Sequence, residues 1–118
     1  MAAPNLQSPT TITGKTAVLA VTNSASAIVS NASSSGLLKR IHSLLVSNIT
    51  TSPATLTVDI YRSSTATRIT KDLVVPANAT IAPITKDTRV DLEEGDDLRL
   101  RAGASSTLEA VCSYDQVA

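Results

Sequence analysis

The chain has 118 residues, ten basic and ten acidic side chains, two tyrosines and neither Trp nor Phe. This length makes a single domain with one core. Balanced charge disfavours phosphate neutralisation, scarce aromatics remove the stacking platforms of single-strand binders, and no apolar run approaches the ~20 residues of a membrane helix. Neither nucleic acid nor a membrane is therefore an expected partner. The single cysteine excludes an intramolecular disulfide. With so few large anchors for the core, a neighbour is expected to complete the burial, as a homo-oligomer or on a larger assembly.

Charge is unevenly spread, because Lys15 is the only charged side chain between Met1 and Leu38. Residues 1–14 read as an extended arm and residues 15–118 as the domain. Pro4 and Pro9 favour extended backbone, and Leu6 and Ile12 are the sizeable apolar side chains of the arm. A frayed terminus is the alternative, but the missing charge favours a docked segment over Ala2–Thr13, with Ala2, Ala3, Pro4, Asn5, Leu6, Pro9 and Ile12 as its contact residues. The terminus has neither the charged nor the apolar region of a secretory signal.

Strands follow. Thr16–Val21 and Ser26–Ser30 precede a small-polar turn over Asn31–Gly36, where glycine is free to take positive φ. Leu37–Asn48 is the longest apolar run. Its second half lacks clean alternation, which predicts a central strand covered on both faces. Leu37, Ile41, Leu44 and Leu45 also fit a helix, but the β-rich surroundings favour a strand.

Thr55–Arg62 alternates most clearly, with Leu56, Val58 and Ile60 inward and Thr57, Asp59 and Tyr61 outward. After a turn at Ser63–Ala66, Thr67–Val75 reads as a bulged strand, because Lys71 interrupts the parity of Ile69 and Leu73. Thr80–Ile84 is a short edge strand, as Pro83 requires. Arg89–Leu92, Asp97–Ala102 and Thr107–Tyr114 complete about nine strands with turns every 8–12 residues, the pattern of a sandwich, jelly roll or barrel. The fold class is all-β, a single antiparallel β-sandwich or jelly-roll-like domain with an extended N-terminal arm.

Catalytic equipment is sparse. His42 is the only histidine, too few for a His-rich metal site or an assembled triad, and its expected role is structural. Cys112 shares parity with Leu108, Ala110 and Tyr114 and reads as a core thiol, with no basic neighbour to activate it. The acidic cluster Asp91, Glu93, Glu94, Asp96 and Asp97 lacks the spacing of a calcium loop. Its expected role is a solvated hairpin tip paired with Arg89, Arg99 and Arg101. Gly103-Ala-Ser-Ser lacks the lysine and following helix of a phosphate loop. Asn31, Asn48 and Asn78 match the glycosylation sequon, read as chance in an Asn/Ser/Thr-rich chain. No enzyme, cofactor or metal is expected.

Several segments together resemble small virion structural proteins of tailed phages, especially those infecting marine cyanobacteria. They are Ala-Ala-Pro-Asn-Leu…Ser-Pro-Thr-Thr-Ile-Thr-Gly-Lys-Thr (Ala2–Thr16), Val58-Asp-Ile-Tyr-Arg-Ser-Ser-Thr-Ala, Val75-Pro-Ala-Asn-Ala-Thr, Leu92-Glu-Glu-Gly-Asp-Asp-Leu-Arg-Leu and Leu108-Glu-Ala-Val-Cys-Ser-Tyr. The resemblance implies assembly on a virion, in the host cytoplasm, without saying whether on head, neck or tail; the expected role is a decoration or accessory protein docking in many copies on the head shell. The major capsid protein or other virion proteins would be its partners, and a trimer the favoured homo-oligomer. A place at the neck, tail or fibre is the alternative. A carbohydrate- or surface-binding module is the rival from another class, with Tyr61 as its one outward aromatic.

Overall fold

A computed structural model describes residues 6–118. Among them lie nine strands: β1 (Ile12–Val21), β2 (Ser26–Ser30), β3 (Leu38–Asn48), β4 (Ala54–Arg62), β5 (Thr65–Val75), β6 (Thr80–Ile84), β7 (Val90–Leu92), β8 (Asp97–Ala102) and β9 (Leu108–Val117). A one-turn 3₁₀ helix at Lys86–Thr88 separates β6 from β7. One sheet runs β1-β9-β3, and the far side of β3 is shared by β6 and β7. The other sheet runs β2-β8-β4-β5. All pairs are antiparallel and the chain crosses repeatedly between the sheets, which is the jelly-roll arrangement.

The core lies between the sheets. Val21, Ile41, Leu44, Val46, Leu56, Val58, Val75, Ile84, Leu92, Leu98, Leu100, Leu108, Ala110 and Cys112 are buried there, with Leu19, Ile60 and Tyr114 packed at its margin. Aliphatic side chains supply nearly all of this burial, at about 25 cal/mol per Å² removed from water.

In β3 the irregular pattern has a different cause from the one expected. The strand is central, but only one face is covered; a register shift between Ile41 and Ser43 places two residues against one on β9. This bulge at His42 resets the parity, so that Ile41 and Leu44 both point into the core. Leu45 consequently faces outward.

The expected bulge in β5 is present, with register breaks on either side of Val58 and a positive φ at Asp72. The Asp72 amide donates to Thr57 Oγ1 (3.1 Å). Thr57 and Asp59 take the outward face of β4 but are buried nonetheless. Asp59 is covered by Arg99, whose Nε donates to its Oδ1 (2.9 Å).

The β4–β5 hairpin turns on two residues, Ser63 and Ser64, both at positive φ (51° and 61°). That is the requirement of a type I′ turn, which serine meets less readily than Asn-Gly. Replacing the pair (Ser63→Asn with Ser64→Gly) should stabilise the protein by about 1 kcal/mol. Urea unfolding would register this as a higher midpoint at unchanged slope.

Asn31 and Asn48 are buried hubs rather than glycan acceptors. Asn48 Nδ2 donates to the carbonyls of Ser52 (2.8 Å) and Val75 (3.0 Å), while its Oδ1 accepts from Thr50 N (2.9 Å) and Oγ1 (2.7 Å). Asn31 Nδ2 donates to the carbonyls of Leu37 (2.9 Å) and Leu92 (3.0 Å), and Ser35 Oγ donates to its Oδ1 (2.5 Å). Asn78 is the exposed one of the three.

Candidate assembly surface

The outer face of the first sheet carries a row of exposed apolar side chains. Val18 on β1 lies opposite Val111 on β9, which lies opposite Leu45 on β3. Their exposures are 75%, 40% and 43%, in a protein whose other inter-strand apolar positions mostly face the core. A shallow depression lined by Val18, Leu19, Ala20, Glu109, Ala110 and Val111 begins at this row. Side chains of opposite parity on the same strands, Leu108, Ala110 and Cys112, are buried, so strict alternation is what places Val111 outside.

The row ends at a sheet edge. Among the described residues β1 pairs with β9 alone, over ten consecutive residues without a register break. The other edges are blunted. β6 holds Pro83, β5 is bulged and carries Arg68 and Lys71, and β2 is five residues long with a register break. Such features discourage strand addition. β1 has neither proline nor a register break, and Lys15 is its one charge.

The contact residues expected in the arm divide three ways. Ala2, Ala3, Pro4 and Asn5 lie outside the described residues. Leu6 is exposed in the turn that precedes β1, and Pro9 is half-buried. Ile12 opens β1, opposite Val117, so the last residues assigned to the arm are part of the sheet. Just before it, Thr10 N (2.6 Å) and Thr11 N (3.3 Å) donate to the Ala118 carbonyl, and Ala118 N donates back to Thr11 O (2.8 Å). Thr10 and Thr11 are thus tied to Ala118 at one corner, where Leu38 and Val117 are buried apart from the main core.

His42 sits on the same outer face as the bulge residue, its Nε2 2.6 Å from Asp115 Oδ2. Neighbouring Arg40 meets Asp91 at 3.4 Å. Among the described residues no third partner joins His42 in the manner of a triad. Cys112 is fully buried, and desolvation pushes its thiol up to about 12, which keeps it protonated and unreactive.

The acidic turn is ordered by specific bonds rather than left in solvent, and its partners differ from those expected. Asp96 is 1% exposed. Its carboxylate accepts from Arg62 Nε (2.7 Å) and Nη2 (2.5 Å) and from the Glu93 amide (2.9 Å). Arg62 Nη2 also reaches Glu93 Oε2 (2.7 Å), and Glu94 Oε2 accepts from the Gly36 amide (3.1 Å). The Arg62 hydrogen bonds hold the Asp96 carboxyl below the usual carboxylate range, with the Glu93 amide adding to the effect against desolvation. Gly95 turns the chain at φ 88°, a conformation that side chains with a Cβ adopt rarely. Arg62 bridges Asp96 and Glu93, while Glu94 is drawn to the Gly36 amide and Asp91 to Arg40. Among the described residues no group of three His, Cys, Asp or Glu is placed to hold a metal ion.

Tyr61 is partly exposed, but the guanidinium of Arg99 lies 3.9 Å from its ring centroid. One ring face is therefore occupied by a cation from within the protein, which leaves a poorer platform for a sugar. No helix among the described residues is long and apolar enough to cross a membrane.

Sequence reasoning missed the apolar row as a site. Val18, Val111 and Leu45 lie 93, 66 and 27 positions apart in pairs, and only the register brings them together. The available signal was parity: Val111 opposed Cys112 in the β9 pattern, and was therefore already outside.

No family model matches the chain, and no curated protein matches it either. Solved structures do. A chain from Bacillus endospore appendages, which form a family of disulfide-linked pili, is 15% identical and superposes with a TM-score of 0.54 over 91% of this chain and 88% of its own. A pentameric capsid protein isolated from metagenomic phage sequences is 16% identical with a TM-score of 0.46, over 86% of this chain and 60% of its own. The protein thus shares with the endospore pilus chain a fold, at a distance where sequence retains little trace of it.

Proposed function

We propose that this chain is a non-enzymatic structural protein of a phage particle, a decoration subunit that docks in many copies on the head shell as a homo-oligomer. The observation that carries the reading is the Val18–Val111–Leu45 row beside the β1 edge, an exposed apolar surface suited to burial against protein. Its support from sequence is the resemblance to small virion proteins of tailed phages. A fold held in common with a pilus chain is compatible with assembly as the purpose of the domain. Cys112 is buried, so assembly would proceed without disulfides.

In this reading the arm, Ala2, Ala3, Pro4, Asn5, Leu6 and Pro9 with Ile12 at its root, lies along a neighbouring virion protein. Main-chain hydrogen bonds and small side chains would seal the contact. Ordering such an arm costs little, because Ala and Pro lose roughly no side-chain entropy. The test is the copy number of the polypeptide in purified particles, by quantitative mass spectrometry against the major capsid protein. A ratio near one to one is expected. A few copies would move the protein to the neck, tail or fibre, and none would remove the virion reading. Deleting residues 2–9 should abolish particle binding while the domain still folds; retained binding would take the docking role away from the arm.

A further inference from the structure

We infer that the inner face of the first sheet, where it runs past the end of β2, binds a doubly charged oxyanion of the phosphate type between Lys15 and Lys39, beside Tyr114. This site lies on the opposite face of the sheet from the apolar row. It is therefore a second surface, independent of the one proposed for assembly.

Strand register brings the site together. Lys15 on β1 lies opposite Tyr114 on β9, Thr13 lies opposite Gln116, and Gln116 lies opposite Lys39 on β3. Directly paired residues share a face of the sheet. Tyr114 packs at the margin of the core, as does Leu19, which has the parity of Lys15 on β1. The five residues therefore belong to the face that turns towards the second sheet. That sheet ends here: β2 has only five residues, and Lys39 Nζ donates to the carbonyl of its last one, Ser30 (2.7 Å). Beyond it the inner face is polar where the rest is apolar. Lys15 and Thr13 are exposed, and Lys39, Tyr114 and Gln116 are half-buried.

Every side chain of this shelf can donate a hydrogen bond: two ammonium groups, two hydroxyls and an amide. The Lys39 ammonium lies 5.9 Å from the Tyr114 ring centroid. Among the described residues, which include every acidic side chain, neither lysine forms an ion pair. Asp115 lies between Tyr114 and Gln116, but alternation turns it to the outer face, where it meets His42. Overall charge is balanced, yet at this end of the sheet the pleat has parted the two signs.

The cations are held at a cost. Burial, and after it the charge of Lys15, lowers the Lys39 ammonium from its ordinary value. An anion between the two lysines relieves both effects. Desolvation, and after it Cys112, raises the Tyr114 phenol, which stays a protonated donor at neutral pH. Two ammonium groups match the two charges of a phosphate. Lysine binds phosphate as a point charge, whereas a carboxylate is better met by the planar fork of arginine.

Titration of the full chain with inorganic phosphate, at constant ionic strength, tests the site by proton–nitrogen correlation NMR. Saturable shifts are expected at the Gln116 side-chain amide and at the backbone amides of Lys15 and Lys39. Lys15→Gln and Lys39→Gln should each weaken binding about tenfold, the loss of one charge-assisted bond. Lys71→Gln, at an exposed lysine on β5, should leave it unchanged. Circular dichroism checks that the variants fold; should Lys39→Gln fail, Lys15→Gln, at an exposed position, decides alone.

Shifts that do not saturate, or that chloride reproduces at the same ionic strength, would overturn the proposal. So would phosphate binding that both lysine variants leave intact. Acetate bound as tightly as phosphate would overturn the choice of a doubly charged ligand.

Discussion

Replacing Asn48 by Ala should cost about 3 kcal/mol and lower the melting temperature by roughly 10–15 °C. Asn48 is buried and all four of its hydrogen bonds are internal. The side chain ties the end of β3 to the loop before β4 and to the end of β5. Its amide reaches the Val75 carbonyl, 27 residues away, in buried surroundings. Alanine would leave that carbonyl and the Thr50 amide without this partner, and each orphaned buried group costs about 1–3 kcal/mol. Asn48→Asp keeps the acceptor for Thr50 and loses both donors, so it should be destabilised as well. Thermal unfolding followed by circular dichroism would decide the matter. A shift of only one or two degrees would mean that water replaces the bonds, and would overturn the view of Asn48 as a hub.

A second large effect is expected at Asp96. Asp96→Ala should cost about 2–3 kcal/mol, because the buried carboxylate accepts charge-assisted bonds from Arg62 and closes the turn through the Glu93 amide. The partner is half in solvent, which limits the penalty of leaving it unpaired. The effect is also pH-dependent, with a definite sign. The folded-state carboxyl titrates below its ordinary value, so the folded protein binds that proton less readily than the unfolded chain. Its contribution is complete above the unfolded pKa of about 4 and is lost as pH falls through the lower folded value. Wild type should therefore lose more stability than Asp96→Asn between about pH 5 and pH 2. Parallel acid profiles for the two proteins would show that Asp96 does not couple folding to protonation.

These two residues also illustrate what local pattern reveals. β4, β6 and β8 were legible almost to the residue, because alternation with period two is written in consecutive side chains and Pro83 marks an edge wherever it falls. The burial of Cys112 followed from the same parity. The candidate surface was legible in part: a neutral first third and a thin core indicated burial against a neighbour, whereas the row that would receive it was hidden.

Much of the rest depends on long-range pairing. The bulge at His42 makes Ile41 and Leu44 core residues and turns Leu45 outward, yet it exists only because β3 must keep register with β9. Arg62 finds Asp96 across 34 residues, where nearer arginines had been the expected partners, because the β4–β5 turn and the Gly95 turn meet at one end of the sandwich. Asn31 and Asn48 match a sequon that a local reading assigns to chance, and their place as buried hubs appears only because the fold closes over both. By itself, then, the sequence determined the all-β class and most strand positions, since composition and alternation are properties of neighbouring residues. The tertiary structure decided which edge was left open and which apolar side chains stand beside it, since those depend on register between strands far apart in the chain.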